Sequence, residues 1–127
     1  MAKAKQFSIW IADQPGVLGE VASALGEKRV NIHSFMSQGG EQPVIRLIVD
    51  KPAAARKVFG ERGWKVTEED VVVLTLADKP GSLGPMASKL GKAGINIHYA
   101  YTGPLKAAKV NTYLAVTDLP AALKALR

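Results

Sequence analysis

Hydrophobic and polar positions in the first half of the chain follow two kinds of spacing, one typical of strands and one typical of helices, and the two kinds alternate along the sequence. Apolar runs of about six residues predict strands, and apolar residues at i, i+3 and i+4 predict helices. The predicted order is a strand at 7–11, a helix from Pro15, strands at 31–37 and 44–49 around a Gly39–Gly40 turn, a helix from Pro52 to Gly63, and a strand at 64–66. Both prolines stand at helix starts, where the missing N–H costs no hydrogen bond.

The second half repeats this order. It predicts a strand at 71–76, a helix with Leu83 on its apolar face, strands at 96–102 and 110–117 around Gly103–Pro104, and a last helix from Pro120. Gly94 fits the left-handed position that follows a helix. No fourth strand follows, so we expect either that the sequence is truncated or that another chain completes this edge.

The predicted fold is α+β, with two ferredoxin-like βαββαβ modules at 1–68 and 69–127. Each has an antiparallel sheet with helices on one face, and the second module lacks its last strand in this sequence. Segments 44–49 and 71–76 are apolar at nearly every position. Since such strands are buried on both faces, we expect the open sheet face to be covered by the other module, a second chain or both.

The two halves carry the same motif. Residues Asp13 to Gly19 read DQPGVLG and residues 78–84 read DKPGSLG, and Asn-Ile-His follows each at 31–33 and 96–98. Matched residues are 65 positions apart (78 − 13 = 65), without a gap from Asp13 to Phe35. Such a register indicates an internal duplication.

The repeated turn is the main candidate site. Gly16 and Gly81 let a ligand approach the backbone, and the free N–H groups of the following helix start favour an anion. Asp13 and Asp78 add acceptors for an ammonium group. Together these groups suit a free α-amino acid. The alternative is a structural turn and helix cap, which Asp, Pro and Gly also form.

Asn31 and Asn96 lie one helix length beyond their turns. The helix from Pro15 to Lys28 is about 20 Å long at 1.5 Å per residue. One module therefore cannot bring both Asp13 and Asn31 to one ligand, which favours a ligand between two modules. The alternative is that each Asn only begins a strand.

The remaining residues exclude most catalytic chemistry. The chain has no cysteine, and no serine, histidine and acid constellation or P-loop is evident. Strand alternation places His33 on the face of Asn31 and Phe35, which favours a polar contact at an interface over a metal site. We therefore predict no enzyme activity, no cofactor and no metal.

Composition and charge indicate where the protein is located and which partners it has. The sequence shows no signal peptide and no apolar run of about 20 residues, so a cytoplasmic protein without membrane contact is expected. The net charge of +6 is scattered along the chain. RNA binding by this fold needs surface aromatics, and only Tyr99 and Tyr101 could stack bases. Nucleic acid is therefore not the expected partner.

With these motifs the chain resembles the ACT domain, present twice, and above all small stand-alone tandem ACT proteins and the paired ACT modules of aspartate kinase regulatory regions. The resemblance implies an amino-acid sensor that changes a partner's activity or assembly. The ligand residues that it implies are Asp13, Gln14, Pro15, Gly16, Val17, Leu18, Asn31 and Ile32, with Asp78, Lys79, Pro80, Gly81, Ser82, Leu83, Asn96 and Ile97 in the second module. Departures include Ser82 at the position of Val17, and Arg29 at the position of Gly94.

The predicted function is therefore regulation by a bound free amino acid, in a homodimer that acts on an enzyme or another regulator. Two alternatives stay open. The chain could be a structural or protein-interaction module whose ligand sites have degenerated. A ferredoxin-like RNA-binding protein is the third reading, supported only by charge and fold analogy.

Overall fold

The computed structural model describes residues 2–127 as an α+β structure with six strands and four helices. Met1, the first residue of the predicted first module, lies outside the described residues. The elements are β1 (Ala2–Trp10), α1 (Val17–Glu27), β2 (Ile32–Gln38), β3 (Val44–Val49), α2 (Pro52–Arg62), β4 (Lys65–Ala77), α3 (Leu83–Lys92), β5 (Ile97–Lys106), β6 (Lys109–Val116) and α4 (Leu119–Ala125).

The first compact unit is Lys5–Glu69, called here the first module. Its strand order is β2-β3-β1-β4, and β3 pairs antiparallel with both β1 and β2. The order β-α-β-β-α-β with this sheet is the ferredoxin-like arrangement. Apolar side chains of the sheet and of the two helices form one core, in which Phe7 and Phe59 meet edge to face at 5.2 Å.

The second compact unit, called here the second module, contains Asp70–Arg127 together with residues 2–4. Its strand order is β1-β4-β6-β5, and its core includes Leu74, Leu90 and Leu114. No strand follows α4 in the described chain. The sheet position that a last strand would take, beside β4, is held by the start of β1.

One strand was divided wrongly in the sequence prediction. Residues 65–66 and 71–76 belong to the single strand β4, which begins one residue after Trp64, because the polar residues between them find partners in extended conformation. Glu68 accepts two N–H bonds from Arg56, at 2.8 and 2.7 Å, and this pair lowers the pKa of Glu68 and raises that of Arg56. Glu69 accepts from the hydroxyl of Ser8 at 3.0 Å. A charged run with partners on neighbouring elements can therefore continue a strand.

The turn predicted at Gly103–Pro104 is also wrong. β5 continues through both residues with a register shift between Thr102 and Leu105, and the chain reverses at Ala107 and Ala108. These alanines have φ of 52° and 58°, the left-handed values of a two-residue hairpin turn. Alanine carries no turn signal, so the sequence pattern pointed to the nearby glycine and proline instead.

Burial follows the apolar pattern in β3. Five of its six residues are buried and only Arg46 is partly exposed, which confirms the prediction for that strand. In β4 the buried residues are Val71, Val72 and Leu74, while Thr75 is exposed. Gly94 has φ of 75°, as predicted after α3, and Arg29 takes the same left-handed region after α1 with φ of 56°.

The left-handed alanines predict a stabilising substitution. Replacing Ala107 with Asn and Ala108 with Gly should raise the free energy of unfolding by about 1 kcal/mol, because Asn-Gly adopts this turn with less strain. Urea denaturation measures the change. As a control, Ala53→Gly in α2 should lower stability, since glycine disfavours a helix. A less stable turn variant would contradict left-handed φ values at this turn.

Candidate functional site

The two repeated turns have the same backbone geometry. Gly16 has φ of 88° and Gly81 has φ of 85°, both in the left-handed region that glycine adopts readily. The N–H of Val17 donates to the carbonyl of Gln14 at 3.3 Å, and Ser82 donates to Lys79 at 3.4 Å. The sequence duplication is thus a duplication of one strand-to-helix turn.

The space in front of each turn glycine is open. A Cβ built on Gly16 or on Gly81 would meet no atom within 4 Å. The glycine is therefore required by its φ and not by a neighbouring side chain. Neither helix start has a side-chain cap, so the helix-cap alternative for Asp13 and Asp78 does not describe their side chains.

In the first module, Asp13 holds another turn. Its Oδ2 accepts the backbone N–H of Gly40 at 3.1 Å, across the connection between β2 and β3. A Cβ on Gly39 would clash with that oxygen, so a larger residue at position 39 would require the Asp13 carboxylate to move. The carboxylate predicted to receive a ligand ammonium thus already has an N–H donor.

In the second module, Asp78 is placed differently. Its backbone N–H donates to the carbonyl of Ala108 at 2.9 Å, but no hydrogen bond or ion pair within residues 2–127 involves its exposed carboxylate. The cause is hairpin length: residues 39–43 connect β2 to β3, whereas two residues connect β5 to β6. The shorter turn carries no N–H back to the carboxylate.

A cavity of about 190 Å³ lies beside the Asp78 turn. It combines turn residues with strand residues of the same module. Its lining is Leu76, Ala77, Asp78, Lys79, Ser82, Leu83, Thr102, Val110 and Thr112. The Oγ of Ser82 is buried and has no hydrogen-bond partner among the described residues. Since buried hydroxyls are nearly always paired, this atom is an exception that makes the turn a candidate site for a polar group.

Asn31 and Asn96 are fixed through their backbones. Asn31 donates its N–H to Oδ1 of Asp50 at 2.9 Å, and Asn96 donates to the hydroxyl of Thr117 at 3.2 Å. Both residues are exposed. Since α1 has 11 residues and α3 has 10, each about 15 Å long, neither module brings its own turn and Asn together.

The other predicted site residues divide into two groups. Gln14, Pro15 and Pro80 lie exposed in the turns, and Leu83 is 52% exposed at the start of α3. The second group packs against the module cores and thus also has a structural role: Val17, Leu18, Ile32 and Ile97.

The repeated histidines are bulge residues. β2 pairs Ile32 with Val49 and Ser34 with Ile48, which leaves His33 as the extra residue. β5 has the corresponding shift between Ile97 and Tyr99, at His98. The prediction that His33 shares a face with Phe35 assumed strict alternation, and the register shift between Ile32 and Ser34 interrupts that alternation.

The structure contains an apolar groove that the sequence pattern did not predict. It has a volume of about 370 Å³ beside α1, and Phe35 is 53% exposed there. Its lining is Leu18, Gly19, Ala22, Ile32 and Phe35. The bulge at His33 brings Phe35 and Ile32 to the same groove, and no periodicity rule locates a bulge in advance.

No three His, Cys, Asp or Glu side chains within residues 2–127 are close enough to hold a metal ion. No helix in that part of the chain has both the length and the apolar character needed to cross a membrane.

A comparison with protein families decides the classification. The family described as "ACT domain pair" matches residues 2–118, which is nearly the whole chain. The chain belongs to this family. The resemblance inferred from the repeated turns is thereby confirmed. No protein of curated function matches the sequence.

Solved structures share the ACT domain pair fold. Protein BT0572 from Bacteroides thetaiotaomicron is 25% identical with a TM-score of 0.89, over 98% of this chain and 86% of that chain. The regulatory subunit of aspartate kinase from Thermus thermophilus, in a ligand-free form, is 20% identical with a TM-score of 0.64, over 99% and 91%. A putative C-terminal regulatory domain of aspartate kinase from Porphyromonas gingivalis is 15% identical with a TM-score of 0.62, over 98% and 91%.

The contact between Asp13 and Gly39 in the first ACT module predicts a coupled pair of substitutions. Gly39→Ala should cost about 1 kcal/mol of stability, since the new Cβ displaces the carboxylate and breaks its bond to Gly40. In an Asp13→Ala background the same change should cost almost nothing. Denaturant unfolding of the four proteins measures this coupling.

Gly60→Ala in α2 is the matched control, because its Cβ would meet no atom within 4 Å. It should stabilise the chain by about 0.5–1 kcal/mol. Equal costs of Gly39→Ala with and without Asp13 would show that the carboxylate does not occupy this position.

Proposed function

We propose that this ACT domain pair protein binds a free amino acid and thereby regulates a partner, without catalysis of its own. The observation that supports this most is the cavity beside the second turn. Its volume is about 190 Å³, and its lining includes Asp78, whose carboxylate has no partner among the described residues, and Ser82, whose Oγ has none, at the start of α3. These groups complement the ammonium and carboxylate of an amino acid.

The proposed contacts follow from charge. The ligand carboxylate meets N–H groups at the start of α3, where the helix dipole favours an anion. The ligand ammonium meets the carboxylate of Asp78, in a charge-assisted hydrogen bond. Because each Asn lies a helix length from its own turn, we propose that an Asn of a different ACT module completes the site.

The proposed regulatory role is carried over to this chain from the names of similar solved structures. One of them is named as the regulatory subunit of aspartate kinase, and another as a putative C-terminal regulatory domain of aspartate kinase. For this chain we propose a homodimer in the cytoplasm that acts on an enzyme or another regulator. We propose ACT modules 1–68 and 69–127 as its functional halves, with no nucleic-acid or membrane partner and no cofactor.

A protein-interaction module without a ligand is the second candidate, and the apolar groove beside α1 favours it. Phe35 leaves more than half of its surface exposed there. Isolated exposed apolar residues are common, but a groove lined by apolar residues is a frequent feature of contact sites. On this alternative, no amino acid changes the stability of the protein.

The proposal predicts stabilisation by an amino acid. In a thermal-shift screen of the twenty standard L-amino acids, at least one should raise the melting temperature. At a ligand concentration of 100 Kd the gain should be about 2.7 kcal/mol. Asn31→Ala or Asn96→Ala should reduce the shift, because each removes a candidate contact from a facing module.

The N-acetyl derivative of the best ligand is the matched control for this screen. It keeps the carboxylate and side chain but lacks the ammonium, so it should produce no shift. If none of the twenty amino acids stabilises the wild-type chain, the sensor function is contradicted and the interaction module is favoured.

A further inference from the structure

We infer that the two repeated turns have diverged, so that each chain binds one amino acid, at Asp78, while Asp13 is a structural residue. The inference also assigns the ligand a neutral side chain. It rests on the proposed function and specifies which of the two duplicated turns performs it. Its basis is a difference between turns whose backbones are alike.

The first step is the state of the two carboxylates. Oδ2 of Asp13 receives the N–H of Gly40 at 3.1 Å, and Gly39 leaves no room for a side chain against it. A ligand ammonium would have to share this oxygen with a fixed donor or to break the bond. Asp78 has no such donor among residues 2–127, so a ligand there displaces only water.

The second step is the residue at the helix start. Ser82 stands where the first module has Val17. Ser82 lines the cavity and its buried Oγ has no hydrogen-bond partner among the described residues, while the side chain of Val17 packs against the first core. A buried hydroxyl without a hydrogen bond is costly, and a polar ligand atom removes that cost. Val17 presents no equivalent group.

The third step is the charge of the cavity. Its only charged lining residues are Asp78 and Lys79, one of each sign. These two balance the ammonium and the carboxylate that every free amino acid carries. The rest of the lining is apolar or hydroxyl-bearing, with Leu76, Val110 and Thr112 among it. A charged ligand side chain would find no opposite charge there, so a neutral one is favoured.

The test is isothermal titration of the full chain with the twenty standard L-amino acids, first wild type and then Asp78→Asn, Asp13→Asn and Ser82→Val. We expect the wild-type chain to bind an amino acid with a neutral side chain, at a stoichiometry of one ligand per chain. Asp78→Asn should weaken binding at least about tenfold, which corresponds to about 1.4 kcal/mol. Ser82→Val should also weaken binding, and it gives the second turn the residue of the first.

Asp13→Asn is the matched control, because it makes the same chemical change in the duplicated turn. It should leave the affinity unchanged and lower the melting temperature, since it weakens the bond to Gly40. Circular dichroism verifies that each variant is folded. If Asp78→Asn does not fold, the affinity of Ser82→Val tests whether the second turn binds the ligand. The inference is overturned by two ligands per chain, by loss of binding in Asp13→Asn, or by a preference for a charged amino acid. Absence of binding to the wild-type chain overturns the proposed function as well.

Discussion

The strand-to-helix turn with a left-handed glycine is the constraint on which the rest of the structure depends. It reverses the chain after the first strand of each module and sets the start of the helix that covers the core. Gly16 and Gly81 adopt it with φ values that differ by only 3°. No atom lies within 4 Å of the position that a Cβ on either glycine would take. The turn therefore also leaves open space at the start of each helix.

Duplication of this turn did not preserve one chemical role for both copies. The connection between β2 and β3 is three residues longer than that between β5 and β6, counted as 39–43 against 107–108. The longer connection returns an N–H to Asp13, and the shorter one leaves Asp78 without a donor. A difference in a hairpin away from the motif thus changes what an identical aspartate does.

Much of the fold could be predicted because apolar spacing and turn residues agree along most of the chain. The order of helices and strands, the left-handed Gly94 and the buried strand β3 follow from local patterns. Prediction failed where long-range contacts decide. The acidic residues Glu68 and Glu69 stay in a strand because Arg56 and Ser8 donate hydrogen bonds to their carboxylates. The turn at Ala107 carries no sequence signal.

The candidate site shows the same division between local and long-range information. Its turns could be located from Asp, Pro and Gly alone, but the bond from Gly40 to Asp13 joins residues 27 positions apart. The most direct measurement for the central claim is an amide ¹H–¹⁵N titration with the amino acid that stabilises the chain. We expect saturable shifts of the amide resonances of Gly81, Ser82 and Leu83, while the resonances of Gly16 and Val17 stay unchanged. Shifts confined to the first turn, or none at either turn, would contradict this claim.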